Sequence, residues 1–173
     1  MVKGNWGCCS IQPIGWHNID VQDFGQEYIG STELFEDNYF GIIVAHCSLQ
    51  INEWHDIPKV LSELHRVLKP KGVIRISLPD IETGFEEFKK GNINWFPNGE
   101  EDLNIRFSSW LTWYSTTKTL LTKKAAMQKL ADAGFVMTAI CQFGQTFFST
   151  DEITELDTRQ FEAFFIEGLK GNP

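Results

Sequence analysis

Residues 41–47, Gly-Ile-Ile-Val-Ala-His-Cys, form an unbroken run of small and β-branched apolar positions, the pattern of a strand buried on both faces. Farther on, Ile57, Val60, Leu61, Leu64, Val67 and Leu68 recur at three- and four-residue steps, which lays one apolar stripe along a helix. Asp56 stands where a cap is needed, Pro58 suits the first turn, and Pro70 with Gly72 ends the pattern. Residues 73–78 then alternate and stop at Pro79-Asp80. Strand, helix and strand in this order predict a parallel β-α-β unit. Open parallel sheets bind ligands beyond the carboxyl ends of their strands, which places His46 and Asp80 where chemistry takes place.

The rest of the pattern extends the same architecture. A first strand is expected over 2–6, running into the turn Gly7-Cys8-Cys9-Ser10, and a second over 16–21 with Asp20 near its end. Their separation is too short for a crossover helix, so the first β-α-β unit is truncated. A brief third strand is expected near 28–34, inside a polar, turn-rich stretch. Asp80 is placed to cap a helix carrying Ile81, Phe85 and Phe88 on one face, with Gly91 at its end. Thr122 caps another through Ala126, Met127, Leu130 and Ala131, closed by Gly134. Residues 135–141 read as a strand, and 161–169 as a last strand or a short helix. Between these elements, residues 92–117 break the rhythm, with Trp95, Phe96, Trp110, Trp113 and Tyr114 set among acids, serines, glycine and proline. Long insertions of this kind serve as lids or interfaces. Closure over a substrate and burial against a second subunit of a homodimer both fit, and the two readings stay open. The chain as a whole is expected to form one α/β domain over residues 1–173, with this insertion as its lid or interface.

Composition narrows the function classes. A formal charge of −8 argues against a dedicated nucleic-acid binder, because phosphates are held by Lys and Arg. The longest apolar runs fall short of the ~20 residues that cross a bilayer, so no membrane span is expected. No apolar signal core follows the first residues, which fits a cytoplasmic protein. Cys8, Cys9, Cys47 and Cys141 contain no C-x-x-C pair, so reduced thiols are expected and no metal site. Fourteen Phe and six Trp exceed what a core of this size needs, and some of these rings are expected to line a pocket or interface.

Several fragments, in order, resemble class I (Rossmann-like) S-adenosylmethionine-dependent methyltransferases. Gly15-Trp16-His17-Asn18-Ile19-Asp20 is similar to a family segment G-W-x-N-x-D. Leu34-Phe35-Glu36-Asp37 leading into Phe40-Gly41-Ile42-Ile43 is similar to its L-P-F-x-D…F-D-x-I. Residues 66–72, Arg-Val-Leu-Lys-Pro-Lys-Gly, look like R-V-L-K-P-G-G, and Ala133-Gly134-Phe135 like the late A-G-F. The family's G-x-G turn here reads Gly7-Cys8-Cys9, and Gln50-Ile51 stands where Glu-His is common.

The resemblance implies a mostly parallel sheet with flanking helices and S-adenosylmethionine as cofactor. It also implies methyl transfer to a small-molecule or sugar-containing substrate. By the same resemblance, Gly7 and Cys8 line the cofactor through their backbone, Asp20 accepts from the ribose hydroxyls, and Leu34 and Phe35 flank the adenine. His46 would act as general base or substrate orienter, since imidazole titrates near neutrality. The alternative is a non-catalytic member of the fold, kept as a binding or assembly module after the glycine turn decayed.

Overall fold

The computed structural model describes residues 1–8, 10–19, 35–97, 99–148 and 151–172. Six strands build one sheet: β1 (Lys3–Trp6), β2 (His17–Ile19), β3 (Phe40–His46), β4 (Leu68–Pro79), β5 (Phe135–Cys141) and β6 (Ala163–Lys170). Their spatial order is β2-β1-β3-β4-β6-β5. The first four are mutually parallel, while β6 runs antiparallel between β4 and β5. The antiparallel last strand resolves the strand-or-helix alternative for 161–169. The brief strand expected near 28–34 lies outside the described residues.

The expected β-α-β unit is present: β3 and β4 are neighbours, joined through α1 (Ile57–Val67). Ile57, Val60, Leu61, Leu64 and Val67 are all buried, so the apolar stripe faces the sheet. Two local readings differ from expectation. The Asp56 side chain makes no cap bond; its backbone carbonyl accepts from Val60, while its carboxylate lies 3.6 Å from His55. The chain also enters β4 directly at Leu68, with Lys71 in a left-handed conformation (φ 62°) opposite a register shift between Phe40 and Ile42. Residues 69–72 are therefore a bulged strand start, not a free turn.

Each face of the sheet has its own cover. Ile43, Ala45, Ile74, Ile76 and Leu78 point to the face closed by α1 and by α4 (Lys123–Asp132), where Ala126 and Leu130 complete one core. Ile42, Val44 and Val73 alternate to the other face, where Trp16, Ile153 and Leu156 close a second core. Among its described residues the connection from β1 to β2 holds no helix. Asn5 and Asn18 bridge it instead, their side chains 3.0 Å apart, with Asn5 Nδ2 also donating to the Ile11 carbonyl at 2.7 Å. Cover on that side comes from the link between β5 and β6.

Arg75 pins that link. It points from β4 to the second face with 1% exposure, in register with Glu167 on β6. Its guanidinium donates to Asp157 at 2.8 and 2.6 Å and to Glu167 at 2.8 Å. It also donates to the carbonyls of Gln145 (2.9 Å) and Gln142 (3.2 Å). Glu167 Oε2 in turn accepts from the backbone of Phe147 and Phe148, and Asp157 from that of Gly144. Buried charges persist only when paired and hydrogen-bonded, and here both carboxylates and the guanidinium are.

A third cluster sits beyond the carboxyl edge. It joins α2 (Ile81–Lys89), a short 3-10 turn (Ile93–Trp95) and α3 (Leu103–Leu111), and centres on Phe96, Trp110 and Trp113. Residues 92–117 thus contain a helix and an aromatic core of their own in place of the expected break in the rhythm; Leu103, Phe107, Trp110 and Leu111 form the stripe of that helix that packs into this core. Gly84 lets α2 meet α3: a Cβ there would stand 2.2 Å from the Trp110 ring. Phe85, expected on the buried face, is 53% exposed with the Lys89 ammonium 5.7 Å from its ring centre, because Gly84 occupies the contact.

Candidate functional site

The parallel order puts the ends of β1, β3 and β4 along one edge, joined there by the start of β6 and the end of β5. β1 lies between β2 and β3, so the chain departs to opposite sides of it. The crevice between the ends of β1 and β3 is the topological switch point, where open α/β sheets take ligands. Gly7 follows β1 with φ 74°, a left-handed backbone that a side chain would strain. The Gly7 and Cys8 amides both donate to the Ile19 carbonyl (2.7 and 3.3 Å), which holds the turn against the end of β2. Across the crevice, Ser48 Oγ donates to the Trp6 carbonyl at 3.0 Å and fixes the β1–β3 spacing. Cys8 is buried. Asp20 and Leu34 lie outside the described residues.

Phe35 is placed elsewhere. Its ring packs on those of His17, Tyr39 and Phe40, at the amino ends of β2 and β3, and its carbonyl accepts from Arg66 at 3.1 Å. The structure brings Gly7, Cys8 and His46 to one edge and sets Phe35 apart from them.

His46 ends β3 on the same face as Arg75 and Ser77. Its Nδ1 lies 2.6 Å from Ser77 Oγ, and its Nε2 bonds the Thr158 hydroxyl. Ser77 Oγ also accepts from the Cys47 amide at 3.0 Å. Burial, together with the positive charges of Arg159 and Arg75, outweighs the pull of Asp157 and lowers the imidazole pKa to about 4. The ring is therefore neutral at pH 7, with one nitrogen donating and the other accepting. Cys47 beside it is pushed up to about 11, mainly by burial, so its thiol stays protonated.

Asp80, after β4, accepts from the Thr83 amide (3.1 Å) and from Lys123 Nζ (2.9 and 2.7 Å). It caps α2 and ties it to the start of α4. Next to it, Glu162 holds three partners that the sequence reading missed. Tyr114 donates its hydroxyl at 3.1 Å, Arg159 donates Nη1 at 3.1 Å, and the Glu162 carbonyl accepts from the Asp80 amide at 2.8 Å. Burial and the Glu162 charge raise the Tyr114 pKa, keeping the phenol protonated. The Arg159 guanidinium lies 5.6 Å from the Trp113 ring centre.

Backbone strain gathers here. Cys47, Trp113, Tyr114, Ser115 and Arg159 all have positive φ, between 45° and 77°. Each such residue costs roughly 1–2 kcal/mol, a conformation that persists when the surroundings over-determine it and that clusters at functional sites. Unsatisfied polar atoms accompany it. Among the described residues, Gln50 Oε1, Trp110 Nε1 and Thr117 Oγ1 are buried without a hydrogen-bond partner. Gln50 is held by its Nε2, which donates to the Cys47 carbonyl at 2.8 Å.

Two cavities of about 610 and 360 Å³ open along this edge and share Trp95, Gln160 and Phe161. They form one cleft running from Asp80 past the end of β5 and the start of β6.

Solved structures share this architecture. An S-adenosylmethionine-dependent methyltransferase from Archaeoglobus fulgidus superposes with a TM-score of 0.60 at 14% identity, over 97% of this chain and 85% of that one. A possible exported protein from Bordetella parapertussis gives 0.55 at 10% identity, over 99% and 62%. A methyltransferase from Thermotoga maritima, described as a possible histamine N-methyltransferase, gives 0.48 at 20% identity over 79% of this chain. The chain spans 58% of the length of that Thermotoga protein. No curated protein matches the chain. S-adenosylmethionine is the cofactor that such domains carry, and the switch-point crevice fits it in that Gly7 presents left-handed backbone without a side chain there. Residues 16–134, more than half of the chain, match the model of the family described as a methyltransferase domain, and the chain belongs to that family.

Proposed function

We propose that the chain transfers a methyl group from S-adenosylmethionine to a small-molecule or sugar-containing acceptor held in the cleft. The observation that carries this is the left-handed Gly7 turn at the β1–β3 switch point of a methyltransferase-family chain. When bound, S-adenosylmethionine supplies a sulfonium-activated methyl group. Gly7 and Cys8 are assigned to its amino-acid end through their backbone, Asp20 to the ribose hydroxyls, and Leu34 to the adenine. Phe35 supports the segment leading into β3 through its contacts with His17 and Phe40.

The chain's own work is positioning. His46, neutral and fixed by two hydroxyls, is better suited to orienting an acceptor than to taking its proton, because its low basicity gives little driving force near pH 7. Cys47 and Cys141 are free thiols, in keeping with a reducing, cytoplasmic setting. Among the described residues no helix is long and apolar enough to cross a membrane.

The non-catalytic reading draws on one observation: both His46 nitrogens are already engaged, so this imidazole offers no free nitrogen to take an acceptor's proton. Calorimetric titration with S-adenosylmethionine and S-adenosylhomocysteine decides between the two. Binding is expected, weakened by about 1–3 kcal/mol in Asp20→Ala, the cost of leaving ribose hydroxyls unpaired. Absence of binding at millimolar cofactor leaves the non-catalytic reading.

A further inference from the structure

The cleft has an unusual chemical balance. Every charged side chain that lines it is already paired: Asp80 with Lys123 at 2.7 Å, and Glu162 with Arg159 at 3.1 Å. A charged acceptor would find no free counterion there. The remaining polar lining is mostly amide, Gln142, Gln145 and Gln160 in the larger cavity and Asn92 and Asn94 in the smaller, while the Thr83 hydroxyl already donates to Asp80 at 2.9 Å. A carboxamide carries both donors and an acceptor, the complement of hydroxyl groups, although one donor of Asn92 is already given to Glu87. A purely apolar acceptor would leave these groups without partners as it displaced their water.

Aromatic rings supply the rest. Phe161 lies at the junction of the two cavities with 73% of its surface exposed, and Trp95 and Phe143 also line the cleft. A large exposed ring beside a cleft offers a flat apolar platform to a ligand. The amides are also held in place. Arg75 donates to the backbone carbonyls of Gln142 and Gln145, so the loop carrying two of them is tied to the buried ion network before any ligand arrives. Such preorganisation lowers the ordering cost of binding.

We infer that this cleft binds a neutral, polyhydroxylated molecule, with the sugar class as its occupant: hydroxyls on the glutamine and asparagine amides, and the apolar C–H face of a ring on Phe161. Calling that molecule the methyl acceptor rests on the methyltransferase reading; its binding does not.

Saturation-transfer difference NMR tests the inference on the full chain, with and without S-adenosylhomocysteine. The probes are cellobiose and methyl α-D-mannopyranoside, with benzoate and phenethylammonium as charged aromatic controls. Saturation of saccharide ring protons is expected, in either cofactor state, with affinity reduced about fivefold to tenfold in Phe161→Ser and Gln160→Ala. Both side chains are exposed, so these variants retain the fold, which circular dichroism verifies. Preference for a charged control, no saccharide signal at tens of millimolar, or a signal indifferent to both substitutions overturns the inference. Saccharide binding without cofactor binding refutes the methyltransferase reading and leaves the binding site standing.

Discussion

Removing the Arg75 guanidinium is the sharpest test of how the second face of the sheet is held. Arg75→Met keeps most of the apolar stem but deletes the donors serving Asp157, Glu167 and two loop carbonyls. The two carboxylates have side-chain exposures of 2% and 0%, so both would remain as buried charges with no cation. Breaking a buried pair by deleting one partner costs about 3–5 kcal/mol, a large fraction of the roughly 5–15 kcal/mol by which domains are stable. Glu167→Gln made alone also breaks the pair. In the double variant one of the stranded charges is gone, so its cost should fall below the sum of the two singles by about 1–3 kcal/mol. Urea denaturation of all four proteins, compared at equal m-values, measures the cycle. Strict additivity, or an Arg75→Met loss under about 1 kcal/mol, would refute the view that this network is a single cooperative unit.

Two further outcomes follow from particular contacts. Folding lowers the His46 pKa to about 4 from 6.5, so the unfolded chain binds a proton that the folded one refuses. Stability from this group is therefore full above pH 6.5 and falls by up to about 3 kcal/mol as the pH drops to 4. His46→Gln should show a shallower acid loss over that window, and identical pH profiles would contradict the burial argument. Gly84→Ala should destabilise by about 1–3 kcal/mol through overpacking against Trp110, although helix propensity alone favours Ala by about 1 kcal/mol, so a raised melting temperature would show that the ring yields.

What the sequence made legible was whatever a one-dimensional period records. The α1 stripe, the apolar run of β3 and the Thr122 cap of α4 each carry a local signal, and each appears where expected. The Gly7 turn and His46 were legible as strand-end residues for the same reason. Partnerships between distant residues leave no such trace. Arg75 stands out as a charge inside an apolar strand, yet Asp157 and Glu167 are 82 and 92 residues away. The left-handed run from Trp113 to Ser115 contains no glycine to announce it, and the short α3 stripe of Leu103, Phe107, Trp110 and Leu111 is masked by the acids, serines and further rings around it. Arg159 and Glu162 pair locally, but Tyr114 meets Glu162, 48 residues away, where β6 returns between β4 and β5.

That returning strand also dictates when the protein can finish folding. Arg75 is synthesised long before either carboxylate that neutralises it, and the 151–158 cover over Ile42, Val44 and Val73 emerges later than α1 to α4. A nascent chain halted before residue 151 would hold an unfinished sheet with one face closed by α1 and α4, the other lacking Ile153 and Leu156, and a guanidinium without either of its carboxylates. Contacts of such wide sequence separation slow folding and lengthen the exposure of strand edges to neighbouring chains. The closing step of the fold is therefore also the step that aligns Gln142 and Gln145 along the cleft, so the site comes into being at the same moment as the stable protein.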